Sequence, residues 1–302
     1  MEKSIPFLPA YWLLLAAVFL CTSCGESGGN RSQAGNNLKM DTISVVSRHH
    51  LEGDTTNPYC DIKVEFIYPL SSQKTSLDTL QQFFVTAVFG TAYATLKPDA
   101  AVKAYIRNFV DHYTHDAGTY RETARELDEL NALIPEIDHA DNEQVGKDRF
   151  YSYYESISDS IAFNQQGLLS FQVKQSNNKG GATSYQLCRN YVFNLRAGAQ
   201  VTENDLFHAG YDTALQNIII ASLLEENGVK SIEELEELGF FGIREILPNR
   251  NFLLNEEGII YTFNKGEYSA YQLDAPEIMI PYRSIRSLLR ENSIASKLAD
   301  LK

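Results

Sequence analysis

The sequence predicts an α+β protein of antiparallel sheets with packed helices, arranged as two consecutive subdomains. Three observations lead there. Residues 61–68, DIKVEFIY, alternate apolar and polar side chains with the period of a half-buried strand. Leu80, Phe83, Phe84, Ala87 and Val88, then Val102, Tyr105, Ile106, Phe109, Val110 and Tyr113, recur at helical spacing. From Tyr151 onward the period changes back, with aromatic and β-branched residues grouped around Asn164 and Gly167.

The first residues address the chain rather than fold it. Lys3 precedes an uncharged run from Phe7 to Leu20. That run suits a signal-peptide core and is shorter than the roughly 20 apolar residues of a membrane-crossing helix. It ends in Leu20-Cys21-Thr22-Ser23-Cys24-Gly25, which resembles the lipobox of bacterial lipoproteins, with Cys21 where a leucine is usual. The resemblance implies cleavage before Cys24, palmitate-type lipidation of Cys24, and a body outside the cytoplasm. Three acyl chains exceed what stable anchoring needs, since each buried CH₂ contributes about 0.8 kcal/mol. Gly25 follows the cysteine, which by the same resemblance implies export to the outer membrane, with the body in the periplasm or on the cell surface.

Removal of residues 1–23 leaves 279 of 302 residues, enough for a sizeable core at 44% apolar composition. The formal charge of -13 repels nucleic acid and anionic lipid, and no basic stripe with interleaved aromatics offsets it. Residues 25–40, GESGGNRSQAGNNLKM, offer little to bury, so residues 24–55 are expected to form the lipidated cysteine and a flexible tether. Residues 56–195 and 196–302 are the two expected α+β domains.

Within the first, the strand at 61–68 ends at Pro69 and two helices follow it; a third helix is expected from Tyr120 to Ile134, stopped by Pro135. Antiparallel strands with polar hairpins fill residues 151–195, the longest connection being SNNKGG at 176–181. Within the second, Leu215, Ile218, Ile219 and Leu223 mark a helix. Ser231 with Glu234 forms a capping box for a short helix closed by Gly239. Strands at 251–254, 259–263 and 277–280 precede a final helix around Ser284 to Arg290.

The stretch NFLLNEEGIIYTFNKGEYSAYQLDAPEIMIPYRSIRSLL, residues 251–289, resembles the C-terminal signature of domain of unknown function 3298. Upstream, GLLSFQVKQSNNKGGATSY, NYVFNLRAG and ENDLF are similar to the run that spans its usual companion, domain of unknown function 4163, and the start of the 3298 domain. The resemblance covers roughly Asp61 to the C-terminus. It extends to extracytoplasmic regions of lysozyme-sensing anti-sigma factors and to accessory modules of peptidoglycan deacetylases. It implies a binding or accessory role at the cell envelope and carries over no catalytic residue. The family's GGAH histidine falls on Thr183, its loop glutamate on Glu267, and the aromatic before its closing strand on Tyr271.

Candidate residues follow. Cys60 and Cys188 are either a disulfide, favoured outside the cytoplasm, or two separate buried thiols. Tyr153, alternating with Tyr154 on one strand, is a candidate for stacking on a saccharide or partner. Gly180 and Gly181 permit a tight turn or a ligand's close approach to backbone. Glu267 and Tyr271 are candidates for a polar pocket. His112 and His115 point to different sides of their helix and make a poor metal pair. No serine-nucleophile or phosphate-cradling motif is present, and no cofactor or metal is implied. The favoured function is a non-enzymatic envelope lipoprotein that binds a protein or peptidoglycan-related ligand. The alternatives are a cell-wall hydrolase with paired carboxylates about 5–9.5 Å apart, Glu267 among them, and a structural subunit of an envelope complex.

Overall fold

The computed structural model describes residues 35–132, 152–179, 184–271 and 273–300. The signal segment, Cys24, Tyr151, Gly180, Gly181 and Thr183 lie outside the described residues. The architecture is α+β with mainly antiparallel sheets: a six-stranded sheet in the order β1-β2-β3-β4-β5-β6 and a three-stranded sheet β7-β8-β9.

Strand β1, Lys39–His50, pairs antiparallel with β2, Tyr59–Ser71. It occupies the stretch whose composition predicts a tether through residue 55, and the body begins earlier still. Asn36 is buried, its amide donating to Asn164 Oδ1 (3.0 Å) and to the Leu168 carbonyl (2.7 Å) while its Oδ1 accepts from the Gly167 amide (2.6 Å). Ile43 and Val45 alternate onto the helix-side core, which is enough apolar burial to order a strand among polar neighbours.

Between β2 and β3 (Tyr153–Gln165), which are parallel, the chain crosses over through α1, Leu77–Phe89, and α2, Pro98–Ala132. Ser76 caps α1 by accepting from the Thr79 amide, and Gly90, at φ 97°, ends it. Helix α2 runs through the break expected before Tyr120. Ala117 stays buried on the same stripe as Phe109 and Tyr113, and one Gly118 costs only about 1 kcal/mol, too little to end a helix held by that packing. No helix among the described residues is long and apolar enough to cross a membrane.

Strands β3 and β4, Leu168–Lys179, join through Gln166 and Gly167, both at positive φ (58° and 87°), the signature of a tight two-residue hairpin turn. Strand β5, Tyr185–Asn194, continues the sheet and β6, Ala199–Gln200, ends it. Alternation sends Ile62, Val64, Phe66, Ile157, Phe171, Val173 and Phe193 toward α1 and α2. A register shift between Ile161 and Phe163 turns Phe163 to the opposite face, where it joins Leu168 and Val192 in a second core.

That second core is built largely by the C-terminal third. Short α3, Glu203–Leu206, and α4, Asp212–Glu226, supply Leu206, Leu215, Ile219 and Leu223. Helix α5, Ile232–Glu237, has the expected cap, Ser231 Oγ accepting from the Glu234 amide at 3.2 Å, but the other half of the expected box differs: the Glu234 carboxylate accepts from the Lys230 amide, one residue before the cap. Strands β7 (Phe252–Leu254), β8 (Gly258–Thr262) and β9 (Glu277–Pro281) form the small sheet. The expected final helix is shorter, α6 at Tyr282–Ile285, and α7 at Ile294–Ala299 follows it. Residues 34–302 cluster as one compact unit, because β3–β5 carry the helix-side core on one face and the C-terminal core on the other.

Candidate functional site

The small sheet covers only part of the outer face of the large one, and the seam between them is polar. Ser170 Oγ donates to the Leu254 carbonyl at 2.6 Å. The Gln172 amide donates to Asn190 Oδ1 and to Glu277 Oε1, both at 3.1 Å, and the Asn190 amide donates to Thr262 Oγ1 at 2.7 Å. Asn251 accepts from the Asn190 backbone amide at 2.7 Å and donates to the Cys188 carbonyl at 2.9 Å. Every member is satisfied by another, which is what permits amides in so buried a place.

Beyond this seam the face opens into a groove of about 620 Å³. Strand pairing dictates its wall. Ser158, Lys174 and Cys188 lie side by side on β3, β4 and β5; one step along, Ser156, Ser176 and Gln186 do the same. The opposite wall is Thr262 at the end of β8, Asn264, Lys265 and Asp274 from the connection that follows, and Glu277 at the start of β9. Lys265 pairs with Asp274 at 3.6 Å, and Glu277 holds the Gln172 amide. The groove therefore presents hydroxyls, amides and charges of both signs, a set suited to hydrogen-bonding a polar ligand. A second, more open hollow of about 610 Å³ lies on the same face, lined by Val46, Arg48, Asp61, Lys63 and Tyr154, and it shares Ser156 with the first.

Cys188 lines the groove with its thiol held protonated. Burial, with Glu277 nearby, pushes its thiol up to about 11, against the pull of Lys174 and Arg189, so the reactive thiolate is scarce at neutral pH. Nor is it bonded to Cys60; both are free. Cys60 faces the helix-side core from β2, whereas Cys188 faces the groove from β5. Three strand spacings of about 4.8 Å separate them, beyond the reach of a disulfide. The expectation of a bridge is thereby corrected: long sequence separation gave no information on which face each cysteine takes.

The other sequence candidates divide. Tyr153 lies on the helix side, edge-on to Tyr113 at 5.3 Å, with its hydroxyl donating to Asp116 Oδ2 at 3.3 Å. Glu267 and Tyr271 share the β8–β9 connection. Glu267 accepts from the Asn264 amide at 3.2 Å, and Asn264 Oδ1 in turn accepts from the Cys188 amide at 2.6 Å. Glu267 thus holds the residue that fixes the loop against β5, one step back from the groove. Tyr271 is 69% exposed, its ring lying where a side chain at Gly266 would fall. His112 and His115 are exposed, and among the described residues no three His, Cys, Asp or Glu side chains converge as a metal site would require.

Sequence reasoning passed over Ser156, Ser158, Lys174, Ser176 and Gln186. For Ser156 and Ser158 the signal was the alternating serine run ESISDS around the core residue Ile157; Lys174, Ser176 and Gln186 carried none of that kind.

The fold is α+β, and residues 204–283 match the family described as "Protein of unknown function (DUF3298)". A crystal structure of a member of that family from Bacteroides fragilis NCTC 9343 is similar at 28% identity and a TM-score of 0.76, over 88% of this chain and 99% of that one. A DUF3298 family protein from Pseudomonas aeruginosa PAO1 shares the fold at 14% identity and a TM-score of 0.55, over 84% of this chain and 96% of that one. No curated protein matches the chain.

Proposed function

We propose that this chain is a non-catalytic lipoprotein of the cell envelope that binds a peptidoglycan-related ligand in the groove between its two sheets. The observation that carries the reading is the groove wall itself. Lys174, Ser176 and Gln186 from the large sheet face Asn264 and Lys265 from the β8–β9 loop across about 620 Å³, a volume within the ordinary range for small-ligand sites. Two ammonium groups and two carboxylates among neutral hydrogen-bonding side chains suit a saccharide bearing a short peptide with charges of both signs. The lipobox-like segment supports attachment to the outer membrane through Cys24, with the body in the periplasm or on the cell surface.

The test is calorimetric titration of the detergent-solubilised chain with soluble muropeptides. Saturable binding that Lys174→Ala and Lys265→Ala each weaken about tenfold is expected; no saturable binding sinks the reading. Labelled palmitate incorporation lost in Cys24→Ala tests the anchor.

The hydrolase reading draws on Asp274 and Glu277, the two carboxylates of the groove. Release of soluble fragments from purified peptidoglycan, abolished by Glu277→Gln, would establish it in place of the binding role.

A further inference from the structure

The groove and the second hollow are adjoining parts of one surface. Strand pairing places Val46, Lys63, Ser156, Ser176 and Gln186 in a single row, one residue from each of β1 to β5. A second row beside it reads Ser44, Glu65, Ser158, Lys174, Cys188 by the same pairings. Both rows point away from the helices, since their sequence neighbours Ile43, Val45, Ile62, Val64, Ile157 and Val173 belong to the helix-side core. Ser156 belongs to both hollows. The four strand spacings from β1 to β5 amount to about 19 Å.

We infer that this trough takes a linear glycan laid across the strands, anchored in the groove at β4–β5 and continuing over Ser156 to the hollow at β1–β2. The inference rests on the groove being the ligand site. The chemistry favours a glycan. An extended polypeptide recognises a sheet by joining its edge through main-chain hydrogen bonds, whereas both hollows lie on the face, where β2, β3 and β4 already pair on both sides. The hydroxyls of Ser44, Ser156, Ser158 and Ser176 and the amide of Gln186 match a neutral, hydroxyl-rich polymer.

Charge over the trough is mixed, with Lys63 paired to Glu65 at 3.9 Å, Arg48 beside the rows paired to Asp61 at 2.7 Å, and Lys174 adding one positive charge. A polyanion or polycation would find no field of one sign there. Tyr154, which lines the second hollow, supplies the aromatic surface on which a sugar ring packs.

Titration of the full chain with N-acetylglucosamine oligomers from dimer to hexamer tests this. Affinity should rise at least about tenfold from dimer to hexamer, and Tyr154→Ala and Lys63→Ala should each weaken the hexamer severalfold while leaving the dimer unchanged. Lys174→Ala should weaken both. A hexamer that binds no tighter than a dimer, or one indifferent to Tyr154 and Lys63, overturns the trough and leaves the groove reading intact. If no oligomer binds, the glycan is wrong; muropeptide binding sensitive to Lys174→Ala then still upholds the groove, and its absence removes both.

Discussion

The Asn190 side-chain amide donates to the Thr262 hydroxyl at 2.7 Å, a fully buried hydrogen bond that joins the large sheet to the small one. Asn190 also accepts from Gln172 and faces Asn251. Asn190→Ala leaves several buried partners unsatisfied, and a loss of roughly 1–3 kcal/mol is expected. Thr262→Val in the same background should cost less than it does alone, because its partner has already gone. Denaturant unfolding of the two single variants and the double variant measures the coupling; strict additivity would contradict it.

Burial pushes the Asp159 carboxyl up to about 7 from 3.8, even though its Oδ1 accepts from the Ile67 amide at 2.7 Å. Its Oδ2 has no partner among the described residues. The folded state therefore holds the proton between pH 3.8 and about 7 more tightly than the unfolded chain. Stability falls as pH rises through that window. Asp159→Asn keeps an acceptor for Ile67 and has no charge to bury, so it should stabilise the protein at pH 8 by up to about 4 kcal/mol and change little at pH 3.5. Thermal melts of both proteins across this range check the sign.

Gly258 faces the Ile280 carbonyl oxygen so closely that a Cβ there would sit 2.0 Å from it. Backbone cannot yield as a side chain does. Gly258→Ala should cost about 3 kcal/mol, whereas Gly35→Ala, with nothing within 4 Å of the new carbon, should be neutral. Melting temperatures of the two variants make the comparison.

Cys60 and Cys188 are both free thiols pushed up to about 11 by burial. Peptide mapping after maleimide treatment at pH 7 should find Cys60 unlabelled until denaturant is added. A disulfide-linked peptide containing both residues would refute the placement of these strands.

Three of the Asn36 side-chain bonds join groups at the turn end of the β3–β4 hairpin, and its Oδ1 also accepts from Lys74 Nζ at 3.1 Å. Asn36→Ala should cost roughly 1–3 kcal/mol and accelerate amide exchange at Gly167 by more than at Ser176. Hydrogen exchange by mass spectrometry would detect the difference.

What the sequence made legible were the locally encoded parts. The alternation in DIKVEFIY, the Ser231 cap and the three short C-terminal strands each depend on neighbours within a few residues, and each lies where its pattern places it. The site was less legible because its walls join residues far apart in the chain, such as Ser158 with Lys174 and Cys188. A polar residue on a strand reads the same whether it faces open water or a groove. Strand β1 went unseen for a related reason: polar composition dominated the window, and the two apolar residues that secure it acquire meaning only once β2 is alongside.

Under the lipid anchor proposed above, the clamp on Asn36 would be where mechanical load enters the body. Tension arriving along the chain from its N-terminal side reaches Asn36 and passes into the turn between β3 and β4. The Ser176 row of the trough lies eight residues further along β4, about 27 Å from Leu168. On that proposal a pull from the N-terminal side meets the Asn36 hydrogen bonds at the hairpin turn, a strand's length away from the Ser176 row.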